Sequence, residues 1–358
     1  MGLYVERLNQ KLKADPTYQR EQYQSYMTGP EWRNVEMVEE YAAFLKEGKS
    51  MFQFPYFKQI AELWRVMYQS YRAARKYNSF FDIVFSEYLL MDLFVCVFTT
   101  FELIPKGFLS LVFSLFTQKE NQTEIQRHLA DFSEAYAKAL QLTPFFDHDY
   151  ATLKADLAQK YHASKGPRTW VDWLSWKVTS FELSARYWIA KPLKYLLHVD
   201  NAEGGSTDVL VKFHAENAQN AEQAKAMFHA ALGGLTNVTL VDPIEVKEQK
   251  EDKPYRSVYA RLRTPRYKAF KEVVPALTAQ NIHLKKIAGQ SQVQVKCLVE
   301  NETEGLPTSE HANALYTYGD SIHPKRKFCL FDVPVNQLQA VVKDFSSQEH
   351  PVEFIHNF

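Results

Sequence analysis

Residues 80–116 read FFDIVFSEYLLMDLFVCVFTTFELIPKGFLSLVFSLF, and nine of them are phenylalanine. Charged side chains interrupt the stretch at Asp82, Glu87, Asp92, Glu102 and Lys106. No uninterrupted apolar run therefore reaches the roughly 18 residues expected of a membrane-spanning helix. Because so apolar a segment must still avoid water, we expect it to form either a helical core or a face that rests on lipid.

Helical periodicity continues on both sides of this stretch, as far as about residue 200. Pro105 followed by Gly107 predicts a break between two apolar helices. The predicted helices are Val35–Lys46, Ile60–Tyr77, Ser79–Ile104, a segment ending at Phe116, Glu124–Leu140, Asp149–Tyr161 and Arg168–His198. TTFEL at 99–103 resembles TSFEL at 179–183, but five residues are too few to predict a repeat.

The hydrophobic period changes from 3.6 to 2 after NAEGGS at 201–206, whose composition is typical of a flexible linker. Strands are predicted at Thr207–His214, Val238–Val246, Arg256–Arg263 and Ser291–Val299, with helices at Asn220–Leu232 and Arg266–Gln280. This β-α-β-β-α-β order resembles the ferredoxin-like arrangement, which implies one antiparallel sheet with two helices on one face. The resemblance implies no function, because that fold has many.

The C-terminal residues add a further β-α-β pattern at Phe328–Val333, Asn336–Ser346 and Val352–Phe358. It could extend the same sheet or form half of a second one. The polar segment before it is expected to hold one helical turn near Glu310–Leu315. The predicted fold class is therefore α+β. The predicted parts are a polar lead-in (1–30), an α-helical domain (31–200), a linker (201–206), a ferredoxin-like domain (207–300), a connection (301–327) and a βαβ extension (328–358).

Composition excludes several function classes. Lys plus Arg equals Asp plus Glu at 42 each, so no overall charge points to nucleic acid or to acidic partners. The three cysteines are far apart in sequence and lie in apolar runs, which is typical of a reducing compartment. The N-terminus has no apolar signal-peptide segment, and we expect a cytoplasmic protein. No motif predicts a cofactor or a metal.

Two groups of acids were weighed as metal sites. Glu124, His128 and Asp131 would share one helix face, but the neighbouring apolar residues claim the core side, so a solvated face is the favoured interpretation. Asp147-His148-Asp149 lies in a predicted loop, where helix capping is commoner than metal binding.

An enzyme would require a pocket between the helices of the first domain. Acids in the phenylalanine-rich helix would need partners if buried, and the candidates are Glu87 and Glu102 with Arg186. A structural ion pair is the favoured interpretation of these residues, because nothing identifies a nucleophile beside them. The sequence does not decide whether the protein is an enzyme.

A basic face is predicted on the sheet, opposite its two helices. A solvated or covered face is the favoured interpretation, and a surface that binds an anionic ligand or single-stranded RNA is the alternative. Its residues are Lys212, His214, Tyr259, Arg261, Arg263 and Lys296. The aromatic signature of the common RNA-binding module is missing, so nucleic acid is the least favoured partner.

The leading hypothesis is a non-enzymatic binding or scaffolding protein that docks through its aromatic helices to a membrane surface or to a protein partner. The α+β half would be its recognition module, and a homo-oligomer is left open. Tryptophan interleaved with lysine and arginine is typical of the water–lipid interface. The predicted docking residues are Trp170, Trp173, Trp176, Trp188, Phe108 and Phe113.

Overall fold

The structure is a computed structural model that describes residues 8, 10–11, 27–117, 123–141, 145–197, 206–242, 244–247, 255–300 and 305–356. The chain divides into two compact units. The helical unit comprises Met27–Gly204 with Gly319–Pro324, and the α+β unit comprises Met1–Tyr26, Gly205–Tyr318 and Lys325–Phe358. The predicted lead-in before residue 27, apart from residues 8, 10 and 11, lies outside the described residues, as does the linker at 201–205.

Long helices make up the helical unit. They are α1 (Gly29–Lys46), α2 (Tyr56–Ala74), α3 (Phe80–Val84), α4 (Glu87–Phe113), α5 (Glu124–Leu140), α6 (Tyr150–Ala163) and α7 (Trp170–Leu197). Side-chain caps define several starts. The Oγ of Ser86 accepts a hydrogen bond from the Leu89 amide at 3.2 Å, and Thr123 and Gln126 form a capping box at the start of α5.

The predicted break at Pro105 is wrong, since α4 runs through it without interruption. A proline removes one backbone donor, but Leu103 and Lys106, on either side of it in the sequence, are buried, and their packing holds the helix together through the proline. The chain breaks earlier instead, at Phe85 and Ser86, where α3 ends and the Ser86 cap starts α4.

The helical unit consists of two similar halves, α1–α4 and α5–α7. Within each half the first helix packs on the second and the second on the long last helix, and α1 packs on α5. EEYAAFL at 39–45 matches EAYAKAL at 134–140, and TTFEL matches TSFEL at equivalent places in α4 and α7. The five-residue similarity is thus part of a longer correspondence, in which residue n of α4 corresponds to residue n + 80 of α7.

The α+β unit contains two antiparallel sheets. In the first sheet β1 (Ser206–Glu216) lies between β4 (Tyr255–Pro265) and β5 (Ile282–Ile287). The short strands β2 (Thr239–Leu240) and β3 (Glu245–Lys247) both pair with β4. Two helices follow from the sequence pattern, α8 (Ala221–Gly233) and α9 (Phe270–Ala279).

The second sheet has the order β7 (Asn313–Gly319), β8 (Lys327–Pro334), β6 (Gln292–Val299) and β9 (Val352–Ile355). The strand predicted at Ser291–Val299 therefore belongs to this sheet and does not close the first one. The helical turn predicted near Glu310–Leu315 is also wrong, because Asn313 starts β7. The C-terminal β8-α10-β9, with α10 at Leu338–Ser347, completes the second sheet rather than extending the first.

The two sheets share a strand order, because β5 takes the same place beside β1 that β9 takes beside β6. Their central strands also share a pattern, VLVKFHAEN at 209–217 and VQVKCLVEN at 293–301. The inward faces of both sheets and of α8, α9 and α10 form one apolar core. Cys297 and Cys329, distant in sequence, lie directly opposite each other on β6 and β8 in this core.

Candidate functional site

Four charged side chains meet in the interior of the helical unit. Glu102 and Lys106 come from α4, and Glu182 and Arg186 occupy the corresponding positions on α7. The Arg186 guanidinium lies 2.8 Å from Glu102 Oε1 and 2.6 Å from Glu182 Oε1, and Lys106 Nζ lies 3.1 Å from Glu102 Oε1 and contacts Glu182 as well. Each cation thus bridges the two helices and pairs with the acid one turn before it.

The cluster is electrically balanced although it is almost wholly buried. Burial opposes ionisation of Glu102, but the Arg186 guanidinium and the Lys106 ammonium outweigh burial and hold the pKa of this carboxyl below its usual range. Burial dominates at Glu182, where the adjacent Glu102 carboxylate adds to it and the pKa is raised in spite of Arg186. Glu102 and Glu182 in turn keep the two cations charged. They raise the pKa of Lys106 and that of Arg186 above the ordinary values despite burial.

Buried tyrosines surround the cluster in two equivalent pairs. The hydroxyls of Tyr136 and Tyr150 lie 3.0 Å apart, and Tyr150 donates to the Phe145 carbonyl at 2.5 Å. In the first half, Tyr41 and Tyr56 share the matching hydrogen bond, and Tyr56 donates to the carbonyl of Met51 at 2.9 Å. Burial raises the pKa of Tyr41 to about 12, so the hydroxyl stays protonated.

A cavity of about 40 Å³ lies among these groups, lined by the four charges and by Tyr41 and Tyr136. This space admits a few water molecules but is far smaller than the several hundred Å³ of a typical ligand pocket. Glu102 and Arg186, two candidates for an enzyme site, are therefore brought together as a closed ion pair. Glu87 is the first residue of α4, but its side chain lies outside the described part of the chain.

The opposite side of α4 and α7 is apolar and open. Leu103 of α4 lies in a cluster with Met37 of α1, and Leu183 of α7 in one with Val38, so both helices turn their buried sides toward α1 and α5. The exposed residues along α4 and along α7 consequently face away from α1 and α5. The exposed residues of these two stripes stand at corresponding positions: Leu90, Leu93, Val97, Phe101, Phe108 and Leu111 on α4, and Trp170, Trp173, Lys177, Phe181, Trp188 and Lys191 on α7.

Large apolar side chains on this side are extensively exposed. Phe101 and Phe181 expose 71% and 75% of their surface, and Phe85, next to α3, exposes 82%. One 18-residue window within Tyr88–Phe116 has a mean hydropathy of 1.6 with 22% of its residues buried, so this helix has the length and composition to cross a membrane. The expectation that its charges exclude such a window is therefore too strict. We refer to the exposed sides of α3, α4 and α7 together as the apolar face.

The predicted docking residues divide between this face and the layer beneath it. Trp170, Trp173, Trp188 and Phe108 are exposed on it. Trp176 is not, because its ring stacks on Tyr161 at a centroid distance of 4.4 Å. Phe113 lies underneath, between the rings of Phe52 and Trp170.

Sequence reasoning missed the four most exposed rings among the described residues, Phe85, Phe101, Phe116 and Phe181. The signal was present, since Phe101 and Phe181 hold the same place in TTFEL and TSFEL. A five-residue match could not show that both rings point outward, because that depends on which helix side is covered by α1 and α5.

The predicted basic sheet face is largely covered and neutralised. Tyr259 is 7% exposed and packs with Leu210. Arg261 pairs with Asp242 at 2.9 Å, and Arg263 pairs with Asp208 at 2.9 Å.

The remaining basic candidates are not on one surface. Lys212 and His214 are half-buried on β1. Lys296 lies in the second sheet, with its ammonium 5.1 Å from the centre of the Phe328 ring. Lys212, His214, Tyr259, Arg261 and Arg263 therefore share one face of the first sheet, whereas Lys296 lies on the second sheet.

The acids that were weighed as metal ligands have local roles. His128 lies 3.8 Å from Glu124, whose carboxylate accepts the Lys165 amide hydrogen at 3.1 Å. Asp149 caps α6 by accepting a hydrogen bond from the Thr152 amide at 3.1 Å. Within the described residues, no three His, Cys, Asp or Glu side chains are placed to hold a metal ion.

Comparison of the chain with protein-family models, with curated proteins and with solved structures finds no match, so its fold and its apolar face are interpreted from its own residues.

Proposed function

We propose that this protein is a non-enzymatic, peripheral membrane-binding protein that docks on an anionic bilayer surface through its apolar face. The observation that carries the proposal is the exposure of two corresponding apolar stripes, on α4 and α7, on the side of the helical unit turned away from α1 and α5. Soluble monomers rarely expose large contiguous apolar patches, and such patches mark sites that contact a membrane or another protein. The proposed location is the cytoplasm, at the membrane surface, because anionic lipids are enriched in the cytoplasmic leaflet.

The chemistry of the two stripes favours lipid over a protein partner. The α4 stripe has no charge, whereas the α7 stripe combines three tryptophans with Lys177 and Lys191. Tryptophan rings prefer the headgroup region, and lysines reach anionic headgroups from there. We therefore expect α4 to lie deeper in the bilayer surface than α7, with both helices parallel to the membrane plane.

Charge beside the apolar face supports an anionic surface. Arg72, Arg75 and Lys76 are exposed at the end of α2, immediately before the exposed phenylalanines of α3. Asp82 is the acid within that segment, and it accepts the Ser79 amide hydrogen in a capping box. Each basic residue near an anionic leaflet contributes about 1 kcal/mol, so three contribute about 3 kcal/mol, roughly 150-fold in affinity.

Vesicle flotation tests the proposal. The protein should float with vesicles that contain phosphatidylserine, float less with pure phosphatidylcholine, and be released in part by high salt. Replacing Arg72, Arg75 and Lys76 with glutamine should remove most of the preference for phosphatidylserine. The matched control replaces Lys154, Lys160 and Lys165, which lie on or just after α6, in the same way.

Two results would contradict docking on lipid. The first is a protein that stays in the soluble fraction with every lipid and is a monomer on sizing. The second is a stable dimer that binds no vesicles, which would assign the apolar face to contact with another chain.

The strand order of the first sheet supports a finer proposal for the α+β unit. We infer a ferredoxin-like unit with four strand places. β1, β4 and β5 take three of them, and the short strands β2 and β3 together take the fourth. The second sheet would be a related unit in which β6, β7, β8 and β9 take the four places. Such a pair would serve as the recognition half of the protein.

A further inference from the structure

An open groove of about 440 Å³ runs along the C-terminal part of α4, within the helical unit. Its other wall is the turn at Met51–Gln53 and the first turn of α2. Ser110 of α4 donates a hydrogen bond to the Phe52 carbonyl and so holds that turn against the helix. The volume is within the range of sites that bind small organic ligands.

Gly107 forms the base of the groove. A Cβ atom at this position would lie 2.8 Å from the end of the Phe57 ring, so glycine lets the tip of the ring approach α4 closely and a larger residue would make the ring shift. The Phe57 ring also contacts Phe108 edge-on, at a centroid distance of 5.7 Å. Phe57 lines the groove and remains partly exposed, so its ring can contact an apolar ligand there.

The groove combines apolar and basic side chains. Leu111 and Leu115 line it and are also exposed on the apolar face, so the groove opens onto the surface proposed to meet lipid. Lys58 also lines it and is exposed, and one hydrogen of its ammonium group is donated to the Ser321 carbonyl at 3.2 Å. An ammonium has three donors, so Lys58 can still bind an anionic group.

We propose that this groove holds one acyl chain of an anionic phospholipid from the bilayer, with the lipid phosphate beside Lys58. The proposal rests on the proposed docking for the origin of the lipid, since the groove opens where the apolar face would meet the membrane. Phe57, Leu111 and Leu115 contact the chain, and the charge of Lys58 selects the headgroup. The second half offers no equivalent contact, because Ala151 stands where the first half has Phe57.

Binding of monomeric dihexanoyl phosphatidylserine, measured by isothermal titration below its micelle concentration, tests the groove separately from docking. The wild-type protein should bind one molecule per chain. Ser114→Trp, which fills the groove, should weaken this binding about tenfold or more, because the chain loses its apolar walls. Gln159→Trp adds the same ring at an exposed position of α6, outside both the groove and the apolar face, and it should bind like wild type.

Lys58→Gln tests the headgroup contact. The wild-type protein should bind the serine lipid more tightly than dihexanoyl phosphatidylcholine, and this variant should reduce the difference severalfold while both lipids still bind. Circular dichroism and thermal melting of all variants show whether they remain folded.

The outcomes separate the two proposals. Wild-type protein that floats with vesicles but binds no monomeric lipid, or Ser114→Trp that binds it as wild type does, would overturn the groove and leave docking intact. One-to-one binding of the monomeric lipid without flotation would leave the groove and overturn docking on the bilayer.

Discussion

Replacing Phe101 and Phe181 with serine should detach the protein from membranes without unfolding it. The two rings occupy corresponding positions on α4 and α7 and are 71% and 75% exposed. Burying a phenylalanine side chain fully is worth about 1.5–3 kcal/mol. Scaled by the exposed fraction, each ring contributes roughly 1–2 kcal/mol to insertion, so the double variant should lose roughly 2–4 kcal/mol.

This loss corresponds to a decrease in the partition coefficient of between roughly 30-fold and several hundred-fold. The partition coefficient is measured by cosedimentation over a titration of phosphatidylserine vesicles. The melting temperature should stay the same, because neither ring contributes to the core. The matched control is Leu103→Ala with Leu183→Ala. These side chains are 3% and 1% exposed, two residues from the exposed rings, and each change should cost about 2–5 kcal/mol of folding stability.

The folded fraction of the leucine variant should still bind vesicles as wild type does. A phenylalanine variant that partitions within about twofold of wild type would refute the assignment of the apolar face to lipid. A marked fall in its melting temperature would show instead that the two rings stabilise the fold.

Three further predictions concern the buried groups behind the apolar face. Arg186→Met should lower the free energy of unfolding by about 3–5 kcal/mol in urea titrations, because two buried carboxylates lose their shared cation. Adding Glu102→Gln should restore part of the lost stability, and a double variant with no recovery would contradict the pairing. The pKa of Glu102 is lower in the folded than in the unfolded chain, so its ionisation stabilises the fold above its ordinary pKa of 4.5. The difference in unfolding free energy between wild type and Glu102→Gln should therefore shrink as the pH falls below about 4.5. A difference that stays constant with pH would argue against the ion pair. Tyr150→Phe should cost about 1–3 kcal/mol in thermal unfolding, because the Phe145 carbonyl loses its donor in the interior, whereas the exposed Tyr68→Phe should change stability by no more than about 0.5 kcal/mol.

Much of the secondary structure could be predicted because local patterns suffice for it. The helix at Glu124–Leu140 has its predicted bounds, because its apolar period is regular and is a local property. Strand β5, by contrast, was missed. It is six residues long and joins β6 through a turn in which Ala288 and Gly289 have positive φ, a connection too short to separate two strands by pattern.

The sequence by itself determined that residues 80–116 would be helical and too apolar for water, because period and composition are local properties. It also placed Glu102 and Arg186 among the groups that would need partners. Only the tertiary structure decided which side of each helix is covered. The packing of α4 and α7 on α1 and α5 turns Glu102 inward to Arg186 and leaves Phe101, the preceding residue, exposed. Strand 291–299 likewise joined the second sheet because pairing depends on neighbours distant in the chain, which no local pattern records.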